Sequence, residues 1–217
     1  MRHSNEIAFF DSLAPKWDSM EIRSTPQRVN AILDLCDIRP GDTVLDLGAG
    51  TGVLHPWLAE RVGAVGRILA VDFSPRMLEI ARRKAAGLGN VSFLELDFEE
   101  HAIGGRFDHI LLYCVYPHLH NPVCTLRRLA ADNLSGRGSI VIAFPNSEAF
   151  VNDIHRRRGA GGADLPDAGT LAAELRALGF DAECLSATED AYVVRVGAAV
   201  PVSEPDVHAE LREAALE

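Results

Sequence analysis

Long apolar runs are missing from this chain. No stretch approaches the ~20 residues that a membrane-spanning helix needs, so a transmembrane protein is not expected. Positive charge is also short: the formal net charge is −10, and basic residues run no more than three together, as in Arg156-Arg157-Arg158. A run of that length is typical of a solvated helix end. General affinity for nucleic acid or an anionic membrane is therefore not expected. Cysteine is sparse, and Cys36, Cys114, Cys124 and Cys184 show no CxxC spacing. They read as free thiols in a reducing compartment rather than as a disulfide framework. The opening stretch MRHSNEIAFFDSLAPKWD lacks an unbroken apolar segment, so no signal peptide is expected and the expected location is cytoplasmic. No internal repeat or long linker is visible, and Leu216-Glu217 reads as a vector-derived junction outside the fold.

What is present is an ordinary globular composition, 47% hydrophobic and 24% charged over 217 residues. That length suits one domain covering 1–217, with a helical cap over 1–42, a core over 43–197 and a tail over 198–217. Strand and helix signals alternate. TPQRVNAILDLCDI opens with a Thr25 cap and places Val29, Ile32, Leu33 and Cys36 on one helical face. GDTVLDL, GRILAVD, NVSFLELD, FDHILLYCV and GRGSIVIAFP read as strands, with helical segments between them, the first beginning near Gly52. SPRMLEIARRKAAGLG and NPVCTLRRLAADNL carry Ser-Pro and Asn-Pro starts, Asn121 capping the second. GTLAAELRALGF reads as a further helix with Leu171, Leu175 and Leu178 on one face, and DAECLSA with DAYVVRVGAA as a closing hairpin. This is an α/β chain: a doubly wound, mostly parallel sheet whose ligand sits beyond the carboxyl ends of the strands.

Three of those strand ends carry the binding signal. VLDLGAGTG leaves the first strand with Gly48, Gly50 and Gly52, which allow a positive φ and close backbone approach to a ligand. The spacing is GxGxG, not the GxGxxG of dinucleotide folds, and the Lys-Ser/Thr of a phosphate loop is absent. Asp72 ends the second strand, where an acid accepts both hydroxyls of a ribose. Asp97 ends the third, placed for an adenine amino group.

In this order the motifs resemble the class I S-adenosylmethionine-dependent methyltransferases, over roughly Val44 to Gly197. The resemblance implies a seven-stranded sheet with a reversed last strand, and S-adenosylmethionine as cofactor. It implies that Gly48 and Gly50 pass beneath the methionine moiety, with Ala49 and Gly52 in the same loop. Asp72 would bind the ribose, while Asp97 and Phe98 bracket the adenine. Asp46 would orient the loop or the methionine ammonium, Phe73 would stack on the adenine, and Tyr113 would join the cofactor set. FFDSLAPKWDSM is similar to the opening of the ubiquinone/menaquinone-type small-molecule methyltransferases, where an aromatic segment folds over the cofactor. Here Phe9, Phe10 and Trp17 would form that segment or simply pack.

Methyl transfer from a sulfonium is an in-line displacement, so the protein mainly aligns the acceptor and excludes water. A base is needed only where the acceptor must lose a proton. The acceptor, a small molecule, would enter over the fourth strand's end, where LYCVYPHLHNP lies. Tyr113 and Cys114 are expected still within the strand, Cys114 as a core residue. Tyr116, His118 and His120 would then form the acceptor wall, with His118 the best-placed base. His155, on the helix after the fifth strand, and Asn146 would reach the same cleft. A metal on His118, His120 and His155 is a further reading, weaker than no metal at all. Two rival functions stay open: a nicotinamide-dependent oxidoreductase on the same sheet, and a non-catalytic S-adenosylmethionine binder. Apolar residues on the cap helices would close a lid or make a homodimer.

Overall fold

Alternation of buried side chains along the strands sets up a three-layer structure. On one face of the sheet Leu45, Leu47, Ile110, Leu112, Ile140 and Ile142 are buried, and on the other Val44, Ile68, Leu111 and Val141. Each face needs a covering layer of helices. The computed structural model describes residues 2–20, 24–158 and 163–199, so residues 200–217 of the expected tail, including the Leu216-Glu217 junction, lie outside the described residues, and 198–199 belong to the last strand.

The seven strands are β1 (Thr43–Leu47), β2 (Arg67–Asp72), β3 (Val91–Glu95), β4 (Phe107–Tyr113), β5 (Leu134–Phe144), β6 (Phe180–Ala187) and β7 (Tyr192–Ala199). Their order across the sheet is β3-β2-β1-β4-β5-β7-β6. All pairs from β3 through β5 are parallel, and β7 runs antiparallel to both β5 and β6. The expected reversed last strand and closing hairpin are both present. The chain winds outward from β1 to β3, then crosses back to place β4 on the other side of β1. The resulting crevice between β1 and β4 is the switch point at which such sheets bind ligands.

The helices pack where their apolar faces demand. In α3 (Pro26–Asp34), Thr25 Oγ1 accepts from the Arg28 amide, and Val29, Ile32 and Leu33 are buried. Together with Leu58 and Val62 of α4 (His55–Val62), they cover one face of the sheet. Leu126 of α6 (Pro122–Arg128) and Leu171 and Leu175 of α8 (Ala168–Ala177) cover the other. Burial of each such leucine contributes about 1.5–3 kcal/mol. Leu178 lies past the end of α8 and is exposed, so the expected third leucine of that face does not join the core. α5 (Pro75–Lys84) is capped by Ser74, whose Oγ accepts from the Met77 amide at 3.1 Å. α7 (Glu148–Arg158) follows β5. The N-terminal cap is α1 (Arg2–Leu13), a 3₁₀ turn over Ala14–Lys16 and α2 (Trp17–Met20).

Two local expectations are corrected. Cys114 is not part of the fourth strand, which ends at Tyr113. Its φ is +59°, a left-handed conformation uncommon outside glycine, and it turns the chain sharply toward the glycine loop. The helix after that loop begins at His55, not at Gly52, because a turn over residues 51–54 intervenes. Among the described residues no helix is long and apolar enough to cross a membrane.

Candidate functional site

At the carboxyl edge the glycine loop is pinned by backbone hydrogen bonds. The amides of Gly48 and Ala49 both donate to Val71 O, at 2.8 and 3.0 Å. The Gly50 amide donates to Asp72 Oδ2 at 2.8 Å, and the Ser74 amide to Asp72 Oδ1 at 2.8 Å. Asp72 thus ties the loop to the end of β2 while facing the cavity. Burial pushes its carboxyl up to about 6; the two amides oppose this, and Asp46 and Asp11 add to it. Gly48 and Gly50 have φ of +67° and +54°. A Cβ on Gly48 would lie 2.5 Å from Val115 Cγ2, so this glycine also lets the exit of β4 pass close beneath the loop.

These groups line a cavity of about 580 Å³. Asp46, Gly48, Ala49, Gly50, Asp72, Phe73, Asp97, Phe98 and Tyr113 all contribute to its wall. Of the residues expected to hold a cofactor, Gly52 alone does not reach it. Asp97 Oδ1 accepts from the Glu99 amide at 2.9 Å, which fixes the turn after β3. Tyr113 donates its hydroxyl to Ser24 Oγ at 3.0 Å.

The other side of the cavity is formed by the segment after β4. His118 ends a 3₁₀ turn over Tyr116–His118 and lines the cavity, as does half-buried Cys114. The His118 ring meets Phe10 edge to face at 5.7 Å and lies 5.0 Å from the His155 ring on α7. His155 therefore stands behind His118 and outside the cavity wall. His120 also lines the cavity but is held from the side: its Nδ1 is 3.0 Å from Glu99 Oε2 and its Nε2 is 3.3 Å from Glu6 Oε1. The three histidines thus do not converge. Among the described residues no group of three or more His, Cys, Asp or Glu could hold a metal ion.

Tyr116 does not line the cavity. Its ring packs against the apolar core on the α8 side of the sheet, and burial, with Glu174 nearby, pushes its hydroxyl up to about 12. An upward shift of that size suits packing, not proton transfer. Asn146 is buried beside Arg28 and also stands outside the cavity wall.

A roof closes over both sides. Phe10 packs on Phe9, Trp17 and Phe73 at centroid distances of 5.3, 5.8 and 5.6 Å. Three polar ties hold the cap to the core. Ser74 Oγ donates to Asp11 at 2.5 Å, Asp18 accepts from Thr51 Oγ1 and Lys84 Nζ, and Glu6 meets His120. The aromatic cluster read from FFDSLAPKW both packs and covers the cavity.

The family model described as a methyltransferase domain matches residues 38–175, most of the core. The chain belongs to that family. Among curated relatives it is 39% identical to the 2-phytyl-1,4-naphtoquinone methyltransferase of Trichormus variabilis, over 70% of this chain and 66% of the relative. It is 30% identical to the aklanonic acid methyltransferase DauC of a Streptomyces strain, over 63% of each. The chain thus spans under two thirds of the length of either relative. Among solved structures, a DhpI complex with SAH has a TM-score of 0.69 at 18% identity, covering 88% of this chain and 94% of that one. A SAM-dependent methyltransferase from Aquifex aeolicus has a TM-score of 0.64 at 22% identity, covering 82% and 96%. At these identities the two structures speak for the fold.

Within this methyltransferase-family core, three participants were not legible from sequence. Glu99 accepts from the His120 and Asn121 amides at 3.1–3.2 Å and from Thr125 Oγ1 at 3.2 Å. It caps the start of α6 with a full negative charge, where the helix dipole favours one. Glu6 reaches His120 from a segment 114 residues away. His55 lies buried against Asp46. Only the last had an available signal, a histidine on the inward face of the helix that follows the glycine loop.

Proposed function

We propose that this chain transfers the methyl group of S-adenosylmethionine to a small-molecule acceptor, at an N, O, S or C atom, with His118 as the base where the acceptor must lose a proton. The cavity fits that donor. Asp46 is a buried carboxylate that lines the cavity, and it suits an ammonium. Asp72 is placed for ribose hydroxyls, and Asp97 with Phe98 for the adenine. A Cβ on Gly50 would meet the Trp17 indole at 3.7 Å, an ordinary contact distance, so the roof stands directly over the glycine loop. The reactive sulfonium supplies the leaving group. What the chain supplies is alignment and a dry enclosure, and the aromatic roof serves both.

The observation that carries the reading is a single cavity holding Asp72 and the glycine loop on one wall and His118 on the other. His155, behind His118, is placed to take up or fix its second ring nitrogen. The acceptor is expected to be a free small molecule, not a nucleic acid, given the net charge of −10. S-adenosylhomocysteine should raise the melting temperature by linkage, and NAD should not. The reverse result would replace this reading with the nicotinamide one. A product-release assay over thiols, phenols, amines and quinol-like carbons then identifies the acceptor class. Tight donor binding with no turnover on any of them would make the chain a binder instead.

A further inference from the structure

His55 opens α4 just past the glycine loop, and its ring is 1% exposed. Its Nε2 lies 3.3 Å from Asp46 Oδ2, and the Asp46 side chain is 2% exposed. Neither ring nitrogen nor that oxygen makes an aligned hydrogen bond among the described residues. Phe93 closes one side of the ring edge to face, at 5.5 Å. On another side a Cβ at Gly52 would stand 2.4 Å from His55 Nδ1 and 2.7 Å from Cε1. The third glycine of the loop, which does not reach the cavity, is therefore needed to seat this imidazole. A leucine would fill the space without two buried nitrogens to satisfy, and buried polar groups left short of partners call for an explanation. Asp46 faces the cavity, so its carboxylate stands between the imidazole behind and the ligand space in front.

We infer that His55 is a positioning residue for Asp46. Its Nε2–H steadies the carboxylate from behind and aims it at the ammonium of the methyl donor's amino-acid end. This rests on the donor assignment made above. A carboxylate already oriented by a donor loses less freedom on meeting an ammonium. Asp72 and Asp97, on the ends of other strands, hold the nucleoside end. Loss of His55 should therefore weaken one end of the ligand and spare the other.

The test titrates S-adenosylhomocysteine and 5′-methylthioadenosine, which keeps the nucleoside but lacks the ammonium, into the full chain and two variants by calorimetry. His55→Leu should weaken S-adenosylhomocysteine by about tenfold, leave methylthioadenosine within about twofold and not lower the melting temperature. His55→Gln, which returns an N–H near the Nε2 position, should restore most of the loss. Equal weakening of both ligands in His55→Leu would mean that the ring merely supports the loop, and would overturn the inference. So would unchanged S-adenosylhomocysteine affinity in a folded His55→Leu protein. If His55→Leu does not fold, the ratio of the two affinities in His55→Gln against His55→Asn decides: a higher ratio for Gln supports the role, and equal ratios overturn it. If the unsubstituted protein takes up neither ligand, the donor assignment itself falls and this role falls with it.

Discussion

The two walls of the cavity are fastened by different means. The wall formed by the glycine loop, Asp72 and Asp97 comes from one stretch of chain, residues 46–98, and its key contacts are backbone amides on carboxylates. The facing wall is gathered from α1 and the turn after β4, through the ring contact of Phe10 with His118, with His155 of α7 behind it. A wall made of main-chain donors on strand ends has little freedom to change shape. A wall made of side chains from separate elements can be remodelled one residue at a time, as expected where acceptors differ among proteins sharing a fold.

The largest expected effect lies on the rigid wall. Asp72→Ala removes the acceptor of the Gly50 and Ser74 amides as well as the proposed ribose partner. S-adenosylhomocysteine affinity should fall roughly 10³-fold by calorimetry, and a loss under tenfold would mean that the loop holds its shape without this carboxylate. On the facing wall, His118→Ala should lower turnover about 10²-fold at saturating donor, with S-adenosylhomocysteine affinity within about twofold. If donor affinity fell in parallel, the two walls would not be separable.

The pH dependence should also divide the walls. Asp72 sits at about 6 against an ordinary 3.8, so the folded chain binds this proton more tightly than the unfolded chain. Its contribution to stability is complete below about 3.8 and is lost as pH rises through about 6. Ligand hydroxyls donating to the anion act in the opposite sense, so donor binding expels the proton. Affinity for S-adenosylhomocysteine should thus fall about tenfold from pH 7 to pH 5, and a flat profile would remove Asp72 as the hydroxyl acceptor. The smallest effect belongs to the cap. Glu6→Gln weakens a partly exposed contact with His120 and should cost no more than about 1 kcal/mol, read from chemical denaturation. A larger loss would show that the cap and the core fold as one unit.

The same contrast explains what could be read from sequence. Gly48, Gly50, Asp72 and Asp97 were legible as lining the cavity because each follows the end of a strand, and strand ends are set by local hydrophobic pattern. Thr25, Ser74 and Asn121 were legible as caps for the same reason, and each accepts the expected amide. Tyr116 was not, because an irregular turn does not say which way a side chain points. Tyr116 turns into the core, whereas His118 and His120 line the cavity. Gly52 was assigned to the ligand when its partner is the His55 ring, a contact that spacing alone does not reveal. Cys114 was read as strand because its left-handed φ leaves no trace in an apolar pattern.

The roof also has a kinetic side. Phe10 touches Phe73 over one wall and His118 over the other, so under the proposed function a single aromatic residue would cover both ligands at once. Neither ligand could then be exchanged beneath a docked α1 without disturbing the cover of its neighbour. Turnover would be paced by undocking of the cap once per cycle, and adding viscogen to the assay should slow kcat while leaving the single-turnover chemical step unchanged.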